Sequence, residues 1–98
     1  MIPNKITING LDYSIEYIEG KDERLNYGNS LGYIDTGDLK IVISKDMPEQ
    51  KQKEIILHEI IHGCFDAVNF RPEYEEEVVE ELARPLYQVL KENNINFE

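Results

Sequence analysis

Residues 55 to 61 read IILHEII, a run that is apolar on nearly every side of a helix except at His58 and Glu59. A helix with apolar residues all round must be buried between two layers, because one partner layer can cover only one stripe of it. This constrains the chain more than any other feature. It asks for a sheet on one side of residues 55–61 and a second helix on the other. The segment DMPEQ supplies the start of the helix, with Asp46 as the expected N-cap, Pro48 in the first turn and Glu49 three residues after the cap. The helical pattern runs from there to about Phe65, with residues 66–72 as the connection.

The covering layers are both legible. Ile6 and Ile8 alternate with polar residues, Asn9-Gly10 supplies a tight turn, and Leu11, Tyr13, Ile15 and Tyr17 alternate again, which predicts a hairpin. Residues 19–30 are polar and glycine-containing and read as a surface loop. Residues 31–44 predict a second hairpin turning at Thr36-Gly37-Asp38. Its last strand, Leu39 to Ser44, sets Ile41 and Ile43 on one face and Val42 on the other. After Pro72 a second helix is expected over about 73–92, with acidic first turns that suit the positive end of its dipole. Its apolar stripe is Val79, Leu82, Leu86, Val89 and Leu90, and Pro85 should kink or split it. The class is α+β: a small antiparallel sheet of two hairpins packed on two helices, with residues 1–98 forming one domain.

Composition narrows the function. Ten basic residues against twenty acidic give a net charge of −10, which disfavours nucleic-acid binding through the phosphate backbone. A mimic of nucleic acid would rest on that charge alone. No run approaches the ~20 apolar residues of a membrane span, and the N-terminus does not read as a signal peptide, so a soluble cytoplasmic protein is expected. Cys64 is the only cysteine, which excludes an intramolecular disulfide, and its position on the buried helix makes it an expected core residue.

Both histidines fall in LHEIIHG. Four residues apart, His58 and His62 share a helix face about 6 Å apart along the axis, so both imidazoles can reach one ion. Glu59 lies about 100° further round, placed to take a proton from water that the ion activates. A catalytic zinc needs a third protein ligand, and no histidine remains. The metzincin pattern would require Gly at 65 and His at 68, where the chain has Phe65 and Val68. Asp66 is about 12 Å along the axis from His58 and can at best support a ligand. The third ligand should therefore come from Glu73, Glu75, Glu76, Glu77, Glu80 or Glu81. The helix face that carries the apolar stripe ranks Glu76 first, with Glu75 or Glu80 next.

The strand LKIVIS, the helix bearing LHEIIHG and the segment EEVVEELARPLYQVL together resemble the ImmA/IrrE-type metallopeptidases, above all the short members encoded by phages and mobile elements. The likeness covers most of residues 31–92. Aligning Leu82-Ala83 and Leu86 with the family's helical signature also sets the third ligand at Glu76, while Pro85 and Tyr87 depart from it. The resemblance implies a minimal zincin-like fold and a gluzincin-type zinc peptidase in a bacterial host cell, with Glu59 as the base. The partner would be a protein or peptide substrate, with a regulatory protein as the implied target. An exposed strand edge at Leu39 to Ser44 would hold the substrate, and Tyr33, Tyr74 or Tyr87 is a candidate oxyanion donor. A second reading keeps the zinc but not the chemistry: a metal-stabilised accessory module that docks on a host factor.

Overall fold

The computed structural model describes residues 3–93; the two ends of the 1–98 span lie outside it. Strands β1 (Lys5–Ile8), β2 (Leu11–Ile18), β3 (Gly32–Asp35) and β4 (Lys40–Ser44) precede helices α1 (Glu49–Ala67) and α2 (Glu75–Asn93). The class is α+β, as expected.

Both hairpins form. Asn9 (φ 50°) and Gly10 (φ 82°) take the left-handed conformations that a tight turn between β1 and β2 requires. In the second, the Asp35 side chain accepts from the backbone N–H groups of Gly37 and Asp38 and closes the turn. The hairpins do not form an all-antiparallel sheet, however. The strand order is β1-β2-β4-β3, and β2 pairs with β4 in parallel, Ile15 opposite Ile41 and Tyr17 opposite Ile43. Burial explains this correction. Ile41, Val42 and Ile43 are all fully buried, so β4 must be covered on both faces and belongs inside the sheet. Residues 19–31 are long enough to carry the chain past that position, so β3 takes the edge and β4 returns beside β2. The segment Leu39 to Ser44 is thus not an edge; β1 and β3 are.

The loop after β2 is more than a surface excursion. Leu25, in a short 3-10 segment over Glu23–Gly28, is fully buried against Ile18 and Val42, with Tyr33 packed beside them. It covers one face of the sheet. The other face receives α1: Ile56 joins Ile8, Tyr13, Ile15, Ile41 and Ile43, with Ile55 and Ile60 at the border. On its far side α1 meets α2, where Ile61 packs with Val79 and Ala83, flanked by Leu57, Phe65 and Leu86. The all-round apolar helix is therefore the middle layer.

Four local expectations are corrected. Helix α1 begins at Glu49 with Pro48 in the cap position and no side-chain cap. Asp46 accepts from the Gly20 N–H at 2.7 Å instead, tying the loop after β2 to the approach to α1. The incoming segment is held by buried Gln52, whose Nε2 donates to the Met47 carbonyl at 2.9 Å. Cys64 is exposed, because Gly63 takes the position facing the sheet and Phe65 packs toward α2. The buried stripe of α2 is Val79 and Ala83 with Leu86, whereas Leu82, Val89 and Leu90 are more than two-fifths exposed. Pro85 neither ends nor splits α2; it lies on the exposed side, where water can satisfy the carbonyl its missing N–H leaves free. No helix among the described residues is long and apolar enough to cross a membrane.

Gly63 sets how closely α1 approaches the sheet. A Cβ there would lie 2.8 Å from Ile34 Cδ1 and 2.9 Å from Ile8 Cδ1. Gly63→Val is therefore expected to lower the stability by about 1–3 kcal/mol through overpacking. Gly63→Ala should cost less, since both contacts are flexible side-chain ends and Ala recovers up to ~1 kcal/mol of helix propensity. Urea unfolding of the two variants against the parent checks the order.

Candidate metal centre

Helix α1 presents His58 and His62 on one face, with ring centroids 5.0 Å apart. The seam of Val79 and Ala83 lays α2 alongside, with Glu76, one turn before Val79, opposite the imidazoles. Its carboxylate meets both rings. Glu76 Oε1 lies 2.8 Å from His58 Nε2, and Oε2 lies 2.9 Å from His62 Nε2. One donor atom from each residue lies within 4.8 Å of the others, so this His–His–Glu group could hold a metal ion.

The second nitrogen of His62 is also engaged, Nδ1 lying 2.6 Å from Glu75 Oε2. A ring with a carboxylate at each nitrogen is satisfied only by the imidazolium, which donates at both. The pKa follows. Partial burial opposes the charge, but the Glu75 hydrogen bond and the carboxylates of Glu59 and Glu76 outweigh it and raise His62 above its ordinary 6.5. A cation replacing the Nε2 proton would leave Nδ1–H donating to Glu75, the arrangement that orients histidine ligands in metal sites.

Glu59 is buried, only 7% exposed, and is the one carboxylate among the buried polar residues of the described span. Burial, reinforced by the charge of Glu76 and opposed by His62, pushes its carboxyl up to about 7. It borders a cavity of about 580 Å³ shared with His62, Glu75, Glu76, Asp66 and Arg71, and walled on the far side by β3.

The remaining candidates divide clearly. Glu75 contacts His62 but from the outer nitrogen, and Glu80 is exposed and falls outside the group. Glu73, Glu77 and Glu81 are exposed as well. Asp66 accepts from Arg71 Nη2 at 2.7 Å rather than from an imidazole. Tyr33 borders the cavity but packs with the Leu25 cluster on the opposite face of the sheet. Tyr74 is 64% exposed, and Tyr87 lies at the other end of α2 with Lys91 over its ring. Arg71 and Gly32 of the cavity were not anticipated. Arg71 had one usable signal, an arginine five residues after Asp66 in the turn that reverses the chain. Gly32 had none.

No protein-family model, curated protein or solved structure matches the chain.

The shifts of Glu59 and His62 have one consequence for the metal-free protein. A carboxyl raised from 4.5 to about 7 contributes stability that is complete below pH 4.5 and lost as the pH rises through 7. His62, raised above 6.5, contributes stability that is likewise lost on going alkaline. The metal-free chain should therefore lose stability between about pH 5 and 8. In Glu59→Gln that slope should be shallower, by up to about 3 kcal/mol across the window. Urea midpoints at several pH values in the presence of a chelator measure it.

Proposed function

We propose that the chain is a zinc-dependent metallo-endopeptidase of the ImmA/IrrE type, hydrolysing peptide bonds with metal-activated water. The observation that carries the reading is the meeting of two imidazole Nε2 atoms with the two oxygens of one carboxylate, beside a buried glutamate on the same cavity. Zinc is the proposed ion because two imidazoles and one carboxylate are its usual ligands in hydrolytic sites with an open fourth position. Bound there, it would supply Lewis acidity to water and to the carbonyl to be cleaved.

The chain's own residues do the rest. With an ion in place of the Nε2 proton, Glu75 would hold His62 in the tautomer whose Nδ1–H points at its carboxylate. Glu59, raised to about 7 before any cation lowers it again, accepts a proton as the water oxygen bonds to the peptide carbon. It then delivers that proton to the amide nitrogen as the C–N bond breaks, so that a carboxylic acid and an amine leave. Strand β3 (Gly32–Asp35) is the sheet edge beside the cavity among the described residues, and an extended peptide can add to it as a further strand. The proposed setting is the cytoplasm of a bacterial host cell, with a regulatory protein as substrate.

A second reading draws on the thin seam between α1 and α2, whose buried members are Ile61, Val79 and Ala83. In it, zinc clamps α2 to the fold of a phage accessory module that binds a host factor without cutting.

Zinc titration and mass-spectrometric screening of a peptide library separate the two. The peptidase is expected to take up one zinc and to cleave. Glu59→Gln should keep the zinc and lose at least about a hundredfold in turnover. His58→Ala and Glu76→Ala should lose the zinc, and Glu80→Gln should change neither. Zinc affinity should weaken as the pH falls through the raised pKa of His62, because proton and ion compete for Nε2. Zinc uptake without cleavage of any peptide would favour the clamp, and folded protein that takes up no zinc would end both readings.

A further inference from the structure

The cavity beside the metal group continues past it. A second cavity, of about 300 Å³, opens on the His58 side and is lined by Leu31, Lys51, Ile55 and Glu80. The two meet at Ser30, Gly32, Glu59 and Glu76, which line both. Close approaches across the site show how its walls run. A Cβ on Gly32 would lie 2.9 Å from Ile55 Cγ2, and one on Gly63 would lie 2.8 Å from Ile34 Cδ1. Gly32 to Ile34 therefore advances in the same direction as Ile55 to Gly63. Strand β3 and helix α1 form the sides of one trough that passes the metal group, with Lys51 toward one end and Asp66 and Arg71 toward the other.

An extended peptide added to β3 would lie along this trough. From His62 to Asp66 is one turn of α1, about 6 Å, which is the length of about two residues of extended chain. Arg71 is held at that point. Its Nη2 donates to Asp66 Oδ1 at 2.7 Å, while Nη1 meets the Phe70 carbonyl only at 3.5 Å. A guanidinium carries a fork of N–H donors, so Arg71 is steadied at one corner and keeps donors for a ligand. The turn after α1 does not need the pair to close it. There the Phe70 N–H donates to the Phe65 carbonyl at 2.9 Å, and the two rings meet edge to face at 5.1 Å. Nor does an ion pair with side chains 56% and 39% exposed contribute much to stability. Asp66 offsets the charge of Arg71, and Glu75 lines the same cavity, so a neutral carbonyl suits the free donors better than a carboxylate does.

We infer that Arg71, positioned by Asp66, donates to a main-chain carbonyl of the substrate about two residues from the bond that is cut. The substrate class is then an extended segment with at least two residues on that side of the bond. Arg71 has this role only if the chain is a peptidase, as proposed above.

Peptides that the zinc-loaded chain cuts, taken at full length and shortened stepwise from each end, test it. In a Glu59→Gln background, Arg71→Ala is expected to weaken binding of the full-length peptide about tenfold, read by fluorescence anisotropy. In the active chain it should raise KM and leave kcat little changed. Asp66→Asn should act in the same direction with a smaller effect. Once the peptide is cut back to one residue on one side of the bond, Arg71→Ala should bind it as well as the parent does. A purely structural role for Arg71 would weaken binding equally at every length, and that result overturns the inference. So does full-length peptide that Arg71→Ala binds and cuts like the parent, which leaves the peptidase reading standing. A folded chain that cuts no peptide overturns that reading and the anchor with it.

Discussion

The carboxylate of Glu76 can reach two imidazoles only because α2 lies against α1, and that contact rests on very few side chains. Ile61, Val79 and Ala83 are its buried members, with Leu57, Phe65 and Leu86 at the margin. Ala83 is small enough to let the helices approach, and Val79 is completely buried where they cross. One turn toward the N-terminus of α2 from that point, Glu76 stands opposite His58 and His62. The position of the acidic turn is thus a consequence of apolar packing, not of attraction between charges. Were α2 displaced by a single turn, about 5 Å, Glu80 would stand where Glu76 does.

That dependence passes back through α1 to the sheet. The helix uses two of its sides for packing, Ile56 toward the strands and Ile61 toward α2, which leaves a narrow strip for His58 and His62. Glu59, the residue after His58, is turned into the boundary between sheet and helix, and its burial raises its proton affinity. Gly63 completes the arrangement by allowing Ile8 and Ile34 to press against the backbone of α1 directly after His62. The chemistry of the site and the closeness of the layers therefore have the same origin.

Much of this was legible in the sequence because the relevant signals are local. Two histidines four apart, a glutamate between them and an apolar surround define a helix face without any knowledge of the rest. That Glu76 would face the imidazoles was legible too, from its place before Val79, Ala83 and Leu86, although the expected stripe also contained Leu82 and Val89, which are exposed. Val79 alone would have sufficed. What could not be read was long-range. Whether β4 pairs with β2 depends on where the loop over residues 19–31 carries the chain, and nothing in its polar composition reveals that Leu25 will anchor it. Asp46 likewise satisfied the rules for an N-cap, but Gly20, a neighbour only in the folded chain, competed for its carboxylate. Cys64 failed for a related reason: a helix buried on two sides still has an outward strip, and sequence periodicity does not say which residues fall on it.

The electrostatics of the cavity give an independent argument for a cation. Glu59, Asp66, Glu75 and Glu76 line it, and against them stand Arg71, which pairs with Asp66, and His62, raised so that it carries its charge more readily, while His58 meets Glu76 alongside. Burial and the charge of Glu76 push the Glu59 carboxyl up to about 7, so a proton there offsets part of the charge in the metal-free chain. A divalent ion among His58, His62 and Glu76 would take over that work. It would release the proton from His62 Nε2, lower the carboxyl of Glu59 toward its ordinary range, and draw α2 to α1 through Glu76. The seam between the helices is short enough for that last effect to matter. The same binding event that favours the carboxylate form of Glu59 would then strengthen the short seam between the helices, so metal uptake and the packing of α2 on α1 would be parts of one equilibrium.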